Sequence, residues 1–423
     1  MDQHAIRTQS LLEGINEIAI IDTHEHIPPE SRVTERAPSF FRFFEHYVSS
    51  DLVSAGMPRE ALEQMRDLDN GLSPEARWAL MAPYWPFVRT TGYGRAMCRY
   101  MRELFGAEPS GETCRALCEA IGKAQRPGWY ATVFEQANID KALVITWPGE
   151  PVEVDTALFR AVPILDHYAT PATRADLEEL ERQSGCAIQT LGQLLGALEK
   201  TLDAFHQAGI AAVKIFLAYD RPLLFERVGT AEAARCFDRI WLSSKQDLSF
   251  ADLKPLQDFV VRHTIALAAE RGLPIQVHTG LHEGNGNYLA NSNPTLLTNL
   301  FLDFGDARFD VFHAGYPHYG EAAVLAKSFA NVWADLCWLH AISPSVSEHI
   351  LDTWMEVIPA NKMFAFGGDS NYIEGACGHS KIARECLASV LARKVMRGYF
   401  TGQEALWMAE RVLRENALEF FKL

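Results

Sequence analysis

The chain has 423 residues, 48% of them hydrophobic and 22% charged, a balance that suits a globular protein with one large barrel or two ordinary domains. Lys and Arg number 39 against 54 Asp and Glu, and the net charge of −15 disfavours long phosphate backbones and anionic membranes, leaving small molecules as the natural partners. No run reaches the roughly 18–20 apolar residues of a membrane helix, and the start MDQHAIRTQS lacks the basic stretch and apolar core of a secretory leader.

The eight cysteines are scattered, with only Cys114 and Cys118 close together. They read as reduced structural residues of a cytoplasmic protein. Oligomeric state is open, with a homo-oligomer among the options.

In chain order, short apolar runs alternate with amphipathic helical stretches, the pattern of βα units around a parallel sheet. The runs are IAIIDTHEH from Ile18, KALVITW from Lys141, RAVPIL from Arg160 and AAVKIFLAY from Ala211. LPIQVHTG from Leu273, FDVFHAG from Phe309, NVWADLCWL from Asn331 and MFAFGGDS from Met363 follow. Helices are expected from Phe250 to a stop at Gly272, after Pro294, Gly320 and Pro344, from about Ser380 to Arg397, and from about Gly402 to Phe421. Eight strands with intervening helices fit an α/β fold of the (β/α)₈ TIM-barrel type better than an open sheet.

One connection is anomalous. About 110 residues separate the first two strands, far more than a usual βα loop. This stretch, residues 30–137, reads as a helical insertion with a helix from Thr113 to Ala124. Emerging where barrel active sites lie, it is either a cap over the pocket or a packing or oligomer element. The aromatic residues around Trp78 and Trp85 read as its core.

A barrel places its chemistry at the C-terminal ends of its strands. The first strand ends in His24-Glu25-His26, whose two imidazoles share one side of the strand. Lys214 lies on the fourth strand, His278 ends the fifth, His313 the sixth and Asp369 the eighth. Singly, each has an ordinary reading: a core histidine, a buried ion pair, a turn aspartate. Together they form a divalent-metal site for Zn²⁺, or else Mn²⁺ or Fe²⁺, with Asp369 beside the ion as proton carrier.

In this ordered combination the sequence resembles the amidohydrolase superfamily, on His24-x-His26, Lys214 in AVKIFLAY, His278 in QVHTG, His313 in FHAG and Asp369 in GGDS. The resemblance implies a catalytic metal held by the first-strand histidines and Asp369, with His278 and His313 on the same ion or on a second. Lys214, if carboxylated, would bridge two ions; unmodified, it would meet a substrate carboxylate. HAGYPHYGEAAVLAKSFANVWADL and PANKMFAFGGDS resemble the amidohydrolase-2 branch and the amidohydrolase-like domain of nodulin/glutamine-synthetase fusion proteins. The long insertion, THEHIPPE, QVHTGLHEGNGN and ENALEFF are similar to uronate isomerases. In those enzymes an Arg follows the eighth-strand Asp-Ser, where this chain has Asn371.

The resemblance implies a metal-dependent hydrolase of a small amide, lactone or other ester, with Asp369 and His313 catalytic. Isomerisation of a sugar acid, non-oxidative decarboxylation and a non-catalytic binding role are the alternatives. Around this centre, Tyr219, Arg221 and His282 are candidate substrate contacts, Arg221 because its planar fork accepts both oxygens of a carboxylate. Asp220 shares the loop after the fourth strand, and Glu283 sits in the glycine-rich LHEGNGN loop. His318, His340, His379 and Trp338 follow later strands and read as packing or polar-network residues.

Overall fold

A computed structural model describes residues 3–34, 38–150, 157–243 and 248–423. All eight expected strands form: β1 (Ile20–Glu25), β2 (Ile139–Thr146), β3 (Phe159–Pro163), β4 (Val213–Ile215), β5 (Ile275–Val277), β6 (Phe309–Val311), β7 (Val332–Asp335) and β8 (Met363–Phe364). Their side chains are almost wholly buried, as parallel strands covered on both faces must be.

The strands pair in parallel as β1-β2-β3 and β4-β5-β6-β7-β8. Backbone contacts close both seams into a TIM barrel. Ile164 bridges to Lys214, and Ala211 N–H donates to Ala161 O at 2.9 Å. On the other side Thr23 N–H reaches Phe366 O at 3.3 Å and Asp369 N–H reaches His24 O at 2.8 Å. The second seam matters for function, because it sews the end of β1 to the residues after β8.

The helix Phe250–Glu270 opens on a capping box between Ser249 and Asp252, and the chain turns at Gly272 (φ +65°) as expected. Two helices differ from their sequence signals. The long one begins at Ile373, not near Ser380. Gly375 and Gly378 weaken its first turns intrinsically, but close packing requires them: a Cβ on Gly378 would lie 2.9 Å from the Tyr100 ring, and one on Gly375 2.0 Å from Ser370 Oγ.

The final helix, Gly402–Phe421, is interrupted by a π-type turn over Arg411–Glu415. There the Val412 carbonyl accepts Ala365 N–H from the β8 exit at 2.9 Å, a tertiary bond of the kind that inserts into a helical ladder.

The connection between β1 and β2 is helical throughout its described part; residues 35–37 lie outside the described residues. The helix near Thr113 runs Cys114–Ala124. Phe40, Phe41, Phe44 and Trp85 form a core that Trp78 packs against, and that core is continuous with Phe312, Cys337 and Trp338 at the barrel mouth. All eight cysteines are free. Among the described residues no helix is long and apolar enough to cross a membrane.

Candidate metal centre

The seam between β1 and β8 builds the centre. His24 Nε2 and His26 Nε2 are 3.2 Å apart, and Asp369 Oδ1 lies 3.5 Å from the first and 3.1 Å from the second. Ligands about 2.1 Å from a shared tetrahedral ion sit roughly 3.4 Å from one another, so these three atoms have the spacing of a metal's donor set. Among the described residues they form the one group of this kind.

His313 and His278 stand alongside. The other oxygen of Asp369, Oδ2, is 4.0 Å from His313 Nε2, which is 3.2 Å from His278 Nδ1. The second nitrogen of each ring is committed: His313 Nδ1 to Cys337 O and His278 Nε2 to Leu281 O, both at 3.2 Å. A carbonyl only accepts, so those nitrogens carry the protons and the facing pair presents lone pairs. Imidazoles oriented through carbonyls in this way are typical of metal sites, and the residues present fit a divalent ion.

Electrostatics agree. Burial holds His24 and His278 well below the usual imidazole range and lowers His313 to about 4, so all three are neutral. Burial opposes ionisation of Asp369, yet the His26 hydrogen bond holds its carboxyl well below the usual range.

Lys214 is buried on β4, with Nζ 3.5 Å from the centroid of the Phe312 ring and no hydrogen-bond partner among the described residues. Desolvation brings its amine down to about 8. In its unmodified form it faces that ring and is not one of the three grouped donors.

Arg221 is a correction. Expected as a carboxylate anchor, it is 2% exposed and bonds Asp258 at 2.6 Å and Gln257 at 3.0 Å. The strand read across AVKIFLAY ends at Ile215, and a 3₁₀ turn over Leu217–Tyr219 redirects the chain. Arg221 is thereby carried to the helix Phe250–Glu270. Asp220, at the end of the same turn, is exposed.

Tyr219 and His282 do reach the mouth. Their rings lie 4.8 and 5.4 Å from that of His278. The Tyr219 hydroxyl accepts Glu283 N–H at 2.9 Å, and Glu283 accepts a 3.4 Å bond from Ser50 of the insertion. Trp338 is fully buried, with its ring 4.9 Å from His313 and 4.4 Å from Tyr47. His379 Nδ1 bonds Gly368 O at 2.7 Å, and His340 lies behind it with ring centroids 6.0 Å apart. His318 sits beside Glu321 at the start of the helix Tyr319–Ser328.

The insertion supplies residues that no motif announces. The His46 ring lies 6.4 Å from that of His26, and its Nδ1 is 3.2 Å from the Tyr93 hydroxyl. Burial lowers His46 to about 3. One structural signal marks it: five non-glycine residues with positive φ gather at the mouth, namely His46, His313, Ala314, Trp338 and Asp369. Strained backbone of this kind persists where the surroundings over-determine it, as functional sites do.

Comparison with known proteins bears on the family resemblance and the fold. Residues 238–423 match the amidohydrolase family model. Over 176 residues, 40% of this chain, the sequence is 29% identical to protein fluG of Emericella nidulans, and the match spans 20% of that protein's length. The uronate isomerase of Thermotoga maritima superposes with a TM-score of 0.82 at 16% identity, covering 98% of this chain and 97% of that one. The glucuronate isomerase of Caulobacter crescentus gives 0.79 at 17% identity, covering 99% and 94%. These structures share the fold over nearly the whole length of this chain.

Proposed function

We propose, on the premise that residues 238–423 carry the amidohydrolase pattern, that this chain is a metal-dependent hydrolase of a small amide, lactone or other ester. The observation that carries this reading is the division of the Asp369 carboxylate, with Oδ1 among the His24 and His26 nitrogens and Oδ2 toward His313. His24, His26 and Asp369 would hold the ion, and a donor set of two imidazoles and a carboxylate suits Zn²⁺, with Mn²⁺ or Fe²⁺ as alternatives. When bound, the ion supplies Lewis acidity that polarises a carbonyl and acidifies water near neutral pH.

The chain's own residues do the rest. Asp369 takes a proton at Oδ2 and returns it to the leaving group. His313, its Nδ1–H on Cys337 O, offers Nε2 to the same space. The insertion closes over the mouth through His46, Tyr47 and the Ser50–Glu283 contact, limiting water there.

A cavity of about 500 Å³ runs from His26 past Asn371 and Tyr372 to Tyr130 and Phe159, with Arg32 and Arg42 on its walls. Glu30, Glu45, Glu150 and Glu374 share those walls and Arg32 is paired with Glu150 at 2.6 Å, so the lining supports a substrate with an apolar part and hydrogen-bonding groups.

One observation favours a second reading, sugar-acid isomerisation. His46 and Tyr93 stand over the mouth as a potential proton-moving pair, and the whole-chain fold is that of the uronate isomerases. The metal-reconstituted protein separates the two. Turnover of an amide and lactone panel without ketose formation from uronates supports hydrolysis. Ketose formation with an inert panel overturns it.

A further inference from the structure

Glu25, between the two strand-one histidines, and Asp22, two residues before the first, have no part in the donor set. Both are fully buried. Asp22 Oδ1 accepts His24 N–H within β1 at 3.1 Å, and both side chains also bond the turn that follows β8. Asp22 Oδ1 accepts Gly368 N–H at 3.0 Å, and Glu25 Oε2 accepts Ser370 N–H at 2.6 Å. Between these two, Asp369 N–H donates to His24 O. Three successive N–H groups of the turn therefore end on β1.

The remaining oxygens, Asp22 Oδ2 and Glu25 Oε1, are buried with no hydrogen-bond donor among the described residues. Gly368 is the residue that admits them: a Cβ there would lie 1.9 Å from Glu25 Oε1 and 3.2 Å from Asp22 Oδ2. Asp369 itself has φ +48°, a conformation that a non-glycine residue keeps only when its surroundings impose it.

We propose that Asp22 and Glu25 are positioning residues: a carboxyl pair on β1 that clamps the Gly368–Ser370 turn and so places the Asp369 carboxylate between His26 and His313. The proposal rests on Asp369 being a metal ligand. Its test therefore pairs metal affinity with a control on that premise.

Apo-protein is titrated with Zn²⁺ against a chromophoric chelator, and folding is followed by thermal melting. Asp369→Asn is the control and must lose affinity; if it does not, the metal reading fails and not the clamp. Glu25→Gln keeps an acceptor for Ser370 N–H, so its zinc affinity stays within about threefold of wild type. Glu25→Leu removes the acceptor and weakens zinc binding by about 10–100-fold. Glu25→Asp keeps the charge but withdraws the carboxyl from the turn; its affinity falls in the same direction, and it stands in should the Leu variant not fold. Wild-type zinc affinity in folded Glu25→Leu or Glu25→Asp overturns the proposal, as does equal impairment of the Gln and Asp variants.

Discussion

His26 Nε2 lies 3.1 Å from Asp369 Oδ1, although 343 residues separate them in the chain. If these atoms share an ion, His26→Ala and Asp369→Asn purified from metal-replete cells both lose bound metal. Asp369→Asn also lowers kcat by at least about a hundredfold. Elemental analysis and turnover on the best substrate check this, and full metal content in both variants would remove the centre.

Lys214 gives the second prediction. Its amine sits on the Phe312 ring without a hydrogen-bond partner among the described residues, so Lys214→Met, of similar length, relieves the desolvation of a polar group. The expected outcome is an unchanged content of one ion per chain and equal or higher thermal stability. Two ions in the wild type and one in the variant, with affinity that responds to bicarbonate, would restore the bridging role.

The insertion is tested through His46. Its contact with Tyr93 and its place above His26 predict that His46→Gln lowers kcat about 10–100-fold while metal content stays constant. Steady-state kinetics beside metal analysis decide it. Unchanged kcat would make the insertion a packing element alone.

Arg221 is predicted to matter for stability only. With Asp258 fully buried beside it, Arg221→Met strands part of a buried charge, and a loss of about 3 kcal/mol is expected. Urea unfolding measures that loss, and KM for a carboxylate substrate should not move.

Acid sensitivity follows from the buried imidazoles. His379 is lowered to about 4 by burial, whereas an unfolded histidine titrates near 6.5. The unfolded chain therefore binds the proton first, and this contribution to stability, present above pH 6.5, is lost as pH falls through about 4. Each pH unit in that window costs up to about 1.4 kcal/mol per such group. Unfolding of the metal-free protein at pH 7, 6 and 5 should be less steeply pH-dependent in His379→Asn than in wild type. Equal slopes would show that His379 does not titrate this way.

The eight apolar runs already overlapped all eight strands, with β2 and β3 beginning slightly ahead of theirs, and the polar residues at their ends included the His24, His26 and Asp369 that the fold brings together. Period and composition carry that information because a parallel strand must be apolar along its length and a barrel must present its chemistry at one rim. The start of the helix at Ile373 was hidden, since the glycines that weaken it locally are there to admit Tyr100 and Ser370.

By itself the sequence pointed to the barrel, to the helical stretch between its first two strands and to His24, His26 and Asp369, which the fold brings together. Only the tertiary structure decided which polar residues face that set. Arg221 and Tyr219 lie two positions apart in one apolar-to-polar stretch, yet the 3₁₀ turn at Leu217–Tyr219 leaves one at the mouth and buries the other on Asp258. His46 sits in no motif, and the packing of the insertion brings it to His26. Glu25 reads as a spacer between two ligands until the seam with β8 shows what its carboxyl holds. In each case the deciding contact spans elements distant in the chain, and local propensity carries no record of such contacts.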